Sequence, residues 1–457
     1  MKITLQIKLF ISRHLTPPRI FILSFLGAIL IGALLFLAPF STTKGSLSFI
    51  DALFTSTSAV CVTGLVVIDL GRDLSLWGQI ISLILFQLGG LGIVTFSTIF
   101  FVLMGRSIPL KEREIVQSTF LHSPRKDLMV ILKSILILTL FYEALGTLFL
   151  FIRFSQDFPF SKAFFYALYH AISAFNNCGY SLFPDSLVQY QGDWIVNLTV
   201  MGLLILGGIG FIVQYEWVAK FKGVQRRLSL HTKLVLITTL LLFIFGAFLF
   251  YLFEEENVLK QIPTQNKILA SLFQSATPRT CGFNTVEIGT LTNATILLML
   301  VLMFIGASPG STGGGVKTTS AALLLLMIWN RLKGSEKVNL FNRTIPSENV
   351  SRTLSIIFAS AFSICIVTSF LLITGGNSLT PWEARHVFVE YLFETVSAFA
   401  TVGLSMGVTS TLSDIQKLAI ILMMFVGRVG PLTFAFSLSK AIREREVVYA
   451  EEGVMVG

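Results

Sequence analysis

The chain has 457 residues, of which 34 are Lys or Arg and 25 are Asp or Glu, so only 13% are charged while 54% are hydrophobic and 42 are phenylalanine. Soluble domains carry about 25% charge, and the mean hydropathy of +0.78 is more apolar surface than they can hide. The composition therefore excludes a soluble globular protein, and the low charge excludes a disordered or nucleic-acid-coating chain despite a net charge of +9. Cys61, Cys178, Cys281 and Cys365 form no CxxC pair and the five histidines are scattered, so neither a zinc site nor a disulfide framework is expected. A polytopic membrane protein remains.

A helix rising 1.5 Å per residue needs about 20 apolar residues to cross a hydrocarbon core of roughly 30 Å. Eight stretches qualify: 20–40, 77–104, 128–152, 194–218, 234–253, 294–329, 353–373 and 415–438. The first is too long for a signal peptide and lacks a small-residue cleavage site, which predicts a retained span. After the first, third, fifth and seventh spans comes a semi-apolar segment of about 15 residues, too short to cross. The expected fold is all-α, with eight transmembrane helices and four re-entrant pore helices. They form four parallel span–pore-loop–span repeats around a central pore, bounded at 1–105, 106–222, 223–340 and 341–457. With both termini cytoplasmic, 23 of the 34 basic residues but only ten of the 25 acids fall on the cytoplasmic side, as the positive-inside rule requires.

Each short segment ends alike: Ser58-Ala-Val-Cys-Val-Thr-Gly64, Ser173-Ala-Phe-Asn-Asn-Cys-Gly179, Ser275-Ala-Thr-Pro-Arg-Thr-Cys-Gly282 and Ser397-Ala-Phe-Ala-Thr-Val-Gly403. The Ser-Ala pair keeps one offset from the glycine in three of them and is shifted by one in the third. Each unit holds an even number of crossings, so all four point the same way. Glycine adopts positive φ cheaply, and a Thr-Val-Gly or Val-Thr-Gly run can turn successive carbonyl oxygens toward one axis. Four such strands make an oxygen-lined tunnel that replaces the hydration shell of a large monovalent cation, and the C-terminal ends of the short helices add negative partial charge. The candidate filter is Val62, Thr63 and Gly64; Asn177, Cys178 and Gly179; Thr280, Cys281 and Gly282; and Thr401, Val402 and Gly403. Fourteen acids on the outward side, Asp69, Asp73, Asp185 and the run Glu254 to Glu256 among them, would form a cation-concentrating vestibule.

The stretch 294–329 would be about 54 Å long as one helix, so something must interrupt it. Gly306, Pro309, Gly310, Ser311, Thr312, Gly313, Gly314, Gly315 and Lys317 stand in its middle. The run misses the spacing of a phosphate-binding loop by one, because Val316 separates Gly315 from Lys317. The alternatives are a gate loop inside the membrane below the filter and a close helix crossing through glycines. Lys317, Arg428 and Glu143 are expensive at membrane depth. Arg428 is a candidate pore-facing charge that either limits ion occupancy or anchors the Gly-rich loop through carbonyl hydrogen bonds. Glu143 is a candidate partner for a buried base. Cys178 and Cys281 are expected to pack rather than to act in redox control.

Val62-Thr-Gly64, Asn177-Cys-Gly179, Thr280-Cys-Gly-Phe-Asn284, Thr401-Val-Gly403, Ser311-Thr-Gly-Gly-Gly-Val-Lys-Thr318 and Gly427-Arg-Val-Gly-Pro431 together resemble the Trk/Ktr/HKT superfamily of potassium transporters, and within it the Ktr-type membrane subunit. The resemblance covers essentially the whole chain. It implies potassium uptake across the cytoplasmic membrane, with K+ held by the carbonyls of Thr63, Cys178, Cys281 and Val402, and a gating loop in the second span of the third repeat. It further implies a homodimer on a cytoplasmic ring of RCK-type nucleotide-binding regulatory subunits. Gly64 stands where sodium-preferring plant members have serine, which favours potassium. A sodium-coupled or sodium-selective transporter of the same fold is the alternative, and sodium stays open as an activating ion. No enzyme activity, covalently bound cofactor or nucleic-acid partner is expected, since the longest cytoplasmic connections are only some 25 residues.

Overall fold

Four long apolar helices frame the molecule: α1 (Pro17–Leu37), α4 (Leu128–Phe154), α8 (Leu230–Glu254) and α12 (Ser347–Gly375). Each contains a stretch long and apolar enough to cross a membrane. Large apolar side chains are exposed along them, as with Ile31 and Leu34 on α1, Ile137 and Phe141 on α4, Leu241 and Phe248 on α8, and Phe358 and Phe362 on α12. Water would penalise such a surface, whereas lipid tails solvate it. The computed structural model describes residues 17–43, 45–92, 128–225, 227–375 and 381–438. The predicted N-terminal segment before 17, the unit boundary at 105/106 and the tail after 438 lie outside the described residues.

Each long helix is followed by a shorter one, namely α2 (Phe49–Val60), α5 (Phe160–Phe175), α9 (Thr264–Ala276) and α13 (Pro381–Ala400). A loop leads from it into a second helix: α3 (Leu76–Leu91), α6 (Trp194–Gly208), α10 (Asn293–Phe304) and α14 (Asp414–Val429). Ser75, Asp193 and Thr292 cap the first three of these by accepting from backbone N–H groups, and Ser413 forms a capping box with Gln416 on α14. The packing order is cyclic: α3 lies against α5, α6 against α9, α10 against α13, and α14 against α2. The second helix of each unit thus supports the short helix of the next, and the fourth unit closes on the first.

The second spans depart from the sequence expectation. Only the one at 294–329 is expected to break, yet among the described residues three are interrupted and the helix of the other, at 77–104, stops at Leu91. The expected span 194–218 is two helices, α6 and α7 (Phe211–Phe221), bent by 99°. The span 415–438 is α14 followed by α15 (Pro431–Leu438), and α3 ends at Leu91, with the rest of 77–104 outside the described residues. The span 294–329 divides into α10 and α11 (Thr318–Leu332), with the Gly-rich loop between them. The breaks carry glycines at positive φ: Gly92 at 83°, Gly210 at 94°, Gly310 at 66° and Gly430 at 91°. Hydropathy is blind to this because the flanking residues remain apolar, and broken backbone at membrane depth is tolerated where protein encloses it. Between α11 and α12 a two-residue pair, β1 (Asn339–Leu340) with β2 (Arg343–Thr344), makes an antiparallel hairpin.

The inner helices also approach the short helices closely. A Cβ on Gly427 would strike the backbone carbonyl oxygen of Phe399 at the end of α13, while one on Gly202, also in a second helix, would meet open space. Gly427→Ala should therefore destabilise the protein by about 1–3 kcal/mol through overpacking against backbone that cannot rotate away, and Gly202→Ala should not. Thermal melting of the two purified variants in detergent checks this; equal midpoints would contradict the packing.

Candidate functional site

The site is assembled where the four short helices end. In each loop the backbone turns left-handed twice, at Val62, Asn177, Thr280 and Thr401 with φ of 57°, 58°, 73° and 53°, then at Gly64, Gly179, Gly282 and Gly403 with φ of 89°, 76°, 82° and 90°. Four non-glycine residues held in the left-handed region at matching positions mark backbone over-determined by its surroundings. A hydroxyl from the last turn of the helix ties down each loop. Ser58 donates to the Leu65 carbonyl and Ser173 to the Tyr180 carbonyl, both at 2.8 Å, and the Gly403 N–H donates to Ser397 at 3.1 Å.

In the third loop the tie is Thr277, which donates to the Phe283 carbonyl at 2.5 Å. Ser275 instead donates to the Phe243 carbonyl of α8 at 2.7 Å, as Ser56 does to the Ile29 carbonyl of α1 at 2.7 Å. The third loop is therefore one residue shorter between the tying hydroxyl and the glycine, five residues from Thr277 to Gly282 against six from Ser58 to Gly64. That accounts for the shifted Ser-Ala pair: its serine matches Ser56 rather than Ser58.

The four loops close into a ring. A Cβ on Gly64 would run into the carbonyl oxygen of Cys178, one on Gly179 into that of Cys281, one on Gly282 into that of Val402, and one on Gly403 into that of Thr63. Each glycine thus sits against the next loop's carbonyl in chain order, and the fourth returns to the first. The absence of side chains is what lets four backbones meet so closely. Cys61, Cys178 and Cys281 are buried free thiols and Cys365 is an exposed one.

The Gly-rich loop lies directly against the helix-end side of this ring. It starts and ends in a parallel bridge between Ile305 and Val316, with the Gly306 N–H donating to the Val316 carbonyl at 2.9 Å. The Gly314 N–H donates to the Thr401 hydroxyl at 3.0 Å, and Gly313 leaves no room for a side chain beside Thr280. Ser308 donates to the Gly208 carbonyl at 3.0 Å, and the Gly310 carbonyl accepts from the Phe211 N–H at 2.9 Å, across the bend between α6 and α7. Lys317 Nζ donates to the Gly313 and Gly314 carbonyls at 2.8 and 3.3 Å. Arg428 donates to the Thr312 carbonyl and to the carbonyls of Gly89 and Gly90 at the end of α3. Of the two roles expected for Arg428, anchoring the loop is the one the geometry displays. Glu143 contacts the carboxamides of Gln87 and Asn176, both at 3.3 Å.

Beyond the glycines, away from this loop, opens a cavity of about 460 Å³ lined by Gly64, Gly179, Gly282 and Gly403 and by Asp69, Asp73 and Asp185. Several other acids of the expected vestibule are engaged elsewhere. Asp51 pairs with Lys417 at 2.7 Å, Asp157 and Asp193 hold Arg153, and Glu254 accepts from the Thr292 N–H at 2.9 Å.

The family model for TrkH, a cation transport protein, matches residues 29–446. The chain belongs to the TrkH cation transport family. The Ktr system potassium uptake protein B of Bacillus subtilis (strain 168) is 39% identical over 97% of this chain and 97% of its own length. The protein of the same name from Vibrio alginolyticus is 38% identical over 96% of this chain and 95% of its own. The potassium/sodium uptake protein NtpJ of Enterococcus hirae is 34% identical, covering 98% of each chain. The crystal structure of the potassium transporter TrkH from Vibrio parahaemolyticus superposes with a TM-score of 0.72 over 92% of this chain and 83% of that one, at 20% identity, and so shares the fold. The family and these relatives are named for transport rather than catalysis.

In this TrkH family chain the twelve candidate filter residues fall in one ring, and the Gly-rich loop and Arg428 come together beneath it. Sequence reasoning missed the tying hydroxyls Ser58, Ser173 and Thr277, and it missed Gly89, Gly90 and Thr312 as acceptors for Arg428. The recurring serine in the loop endings was the available signal for Ser58 and Ser173, but it points to Ser275 rather than Thr277 in the third loop. Backbone carbonyls leave no signal for the second.

Proposed function

We propose that this chain takes up potassium across the cytoplasmic membrane, using the four-loop ring as a selectivity filter. The observation that carries the reading is the ring itself, in which four left-handed glycines each meet the next loop's carbonyl and the order closes. A cation enters the cavity beside Asp69, Asp73 and Asp185, sheds water, and exchanges it for the carbonyl oxygens of Thr63, Cys178, Cys281 and Val402. The C-terminal ends of α2, α5, α9 and α13 add negative partial charge behind the ring. Membrane potential supplies the drive, about 2.3 kcal/mol per charge per 100 mV, and no covalent chemistry is required.

In this reading the chain is four parallel repeats, bounded near 105, 222 and 340, with both termini cytoplasmic. The Gly-rich loop is the gate: it lies across the exit from the ring and moves aside when ions pass. Its hydrogen bonds to Arg428, Lys317 and the bend at Gly210 hold it in place. The chain works as a homodimer with a cytoplasmic RCK-type nucleotide-binding subunit, a reading supported by relatives named for the Ktr system. Sodium is the second cation to consider, as an activator or a competing substrate, because one relative is named for both ions.

Expression of the chain with such a regulatory subunit in cells lacking potassium uptake should restore growth at low external potassium. Growth rescued only by added sodium, or no rescue with the protein present in the membrane, would overturn potassium uptake as the function.

A further inference from the structure

We infer that Asn176 and Arg279 are positioning residues that brace the second and third filter loops against the helices behind them, so that the filter is held from outside on two of its four sides. The inference rests on the proposed reading of the ring as a filter and deepens it.

Asn176 and Arg279 occupy the same place, three residues before Gly179 and Gly282. Each immediately precedes the left-handed residue that starts its loop, Asn177 or Thr280. Both are buried, at 0% and 4% exposure. The Asn176 carboxamide donates to Gln87 Oε1 of α3 at 2.5 Å and approaches Glu143 Oε1 of α4 at 3.3 Å, while Gln87 donates to Glu143 Oε2 at 3.3 Å. Asn176 also donates to the Ile172 carbonyl of its own helix at 2.9 Å. Arg279 reaches the long helix of its own unit, where Nη1 donates to the Thr239 carbonyl of α8 at 2.9 Å.

The first and fourth loops have Cys61 and Ala400 at this position. Alanine has no polar group and a thiol is only a weak donor, so neither supplies a comparable tie. A carboxamide, a carboxylate and a guanidinium are costly groups to enclose in a membrane protein, and their pairing here gives them a use. One peptide separates each brace from a residue with strained φ, so the brace fixes the direction in which the next carbonyls, those of Cys178 and Cys281, are presented. Ion discrimination depends on where those oxygens sit, so loosening a brace should alter selectivity before it alters assembly.

The test uses the full-length protein in proteoliposomes, measuring the ratio of rubidium to sodium uptake and, separately, KM and maximal rate for rubidium. Asn176→Ala and Arg279→Ala should each lower the ratio about fivefold. Arg279→Lys, which can still donate to Thr239, and Glu143→Gln, which keeps an acceptor for Asn176, should retain most of it, and Cys61→Ala should leave it unchanged. Gln87→Leu removes an acceptor of Asn176 at similar volume and provides a second reading if an alanine variant fails to assemble. A fall in maximal rate with an unchanged ratio across Asn176→Ala, Arg279→Ala and Gln87→Leu would mean a merely structural role and overturn the inference. Gly64→Ser serves as the reference. If it changes the ratio and the brace variants do not, the braces alone are wrong; if it also leaves the ratio unchanged, the filter reading falls and the inference with it.

Discussion

Gly64→Ser should cost the protein its discrimination of potassium from sodium by at least about tenfold, the equivalent of roughly 1.4 kcal/mol of differential stabilisation. Two effects act together. At φ of 89° a residue with a Cβ is strained by about 1–2 kcal/mol, and that Cβ would meet the carbonyl oxygen of Cys178 rather than a side chain that could swing away. The oxygen has to move, and it is one of the four proposed to hold the ion. Gly282→Ser should act in the same way through the carbonyl of Val402. Competitive uptake of rubidium and sodium by cells lacking their own potassium transport measures the effect. Wild-type selectivity in both variants would remove the filter assignment.

Deleting residues 310–314 should raise flux several-fold. The deleted segment includes Thr312, whose carbonyl accepts from Arg428, and Gly314, whose N–H donates to Thr401. It is therefore the part of the loop pressed most directly against the ring. The remaining ends are still joined at Ile305 and Val316, and Arg428 keeps the carbonyls of Gly89 and Gly90, so the buried guanidinium is not left bare. Flux from proteoliposomes, with assembly verified by gel filtration, decides the matter. Wild-type flux through correctly assembled protein would contradict the gate.

The loop endings show how far local spacing reaches. Their glycines were legible because a polar-to-small run ending in Gly recurs in otherwise apolar sequence, and all four adopt positive φ. The tying hydroxyl of the third loop was not legible, because the one-residue shortening there moves the role to Thr277 while Ser275 still reads as the partner of Ser58. The interruptions at Gly92, Gly210 and Gly430 were hidden in the same way. A hydropathy window averages over a break of one or two residues, and only the longer loop at 305–317 stood out.

Composition and hydropathy by themselves determined that the chain is a membrane protein, that four short segments each end at a glycine, and that Lys317, Arg428 and Glu143 need partners. Those are properties of single stretches of chain, readable because hydrocarbon and helix length impose strict limits on each stretch alone. Only the tertiary structure decided that the four glycines meet in cyclic order, that Arg428 serves the Gly-rich loop, and that Asp69, Asp73 and Asp185 line the cavity while Asp51 and Glu254 do not. Arg428 and Gly89 are separated by more than three hundred residues, and the acceptors that satisfy the arginine are backbone carbonyls present at every position. Which of them it meets is settled by helix packing alone.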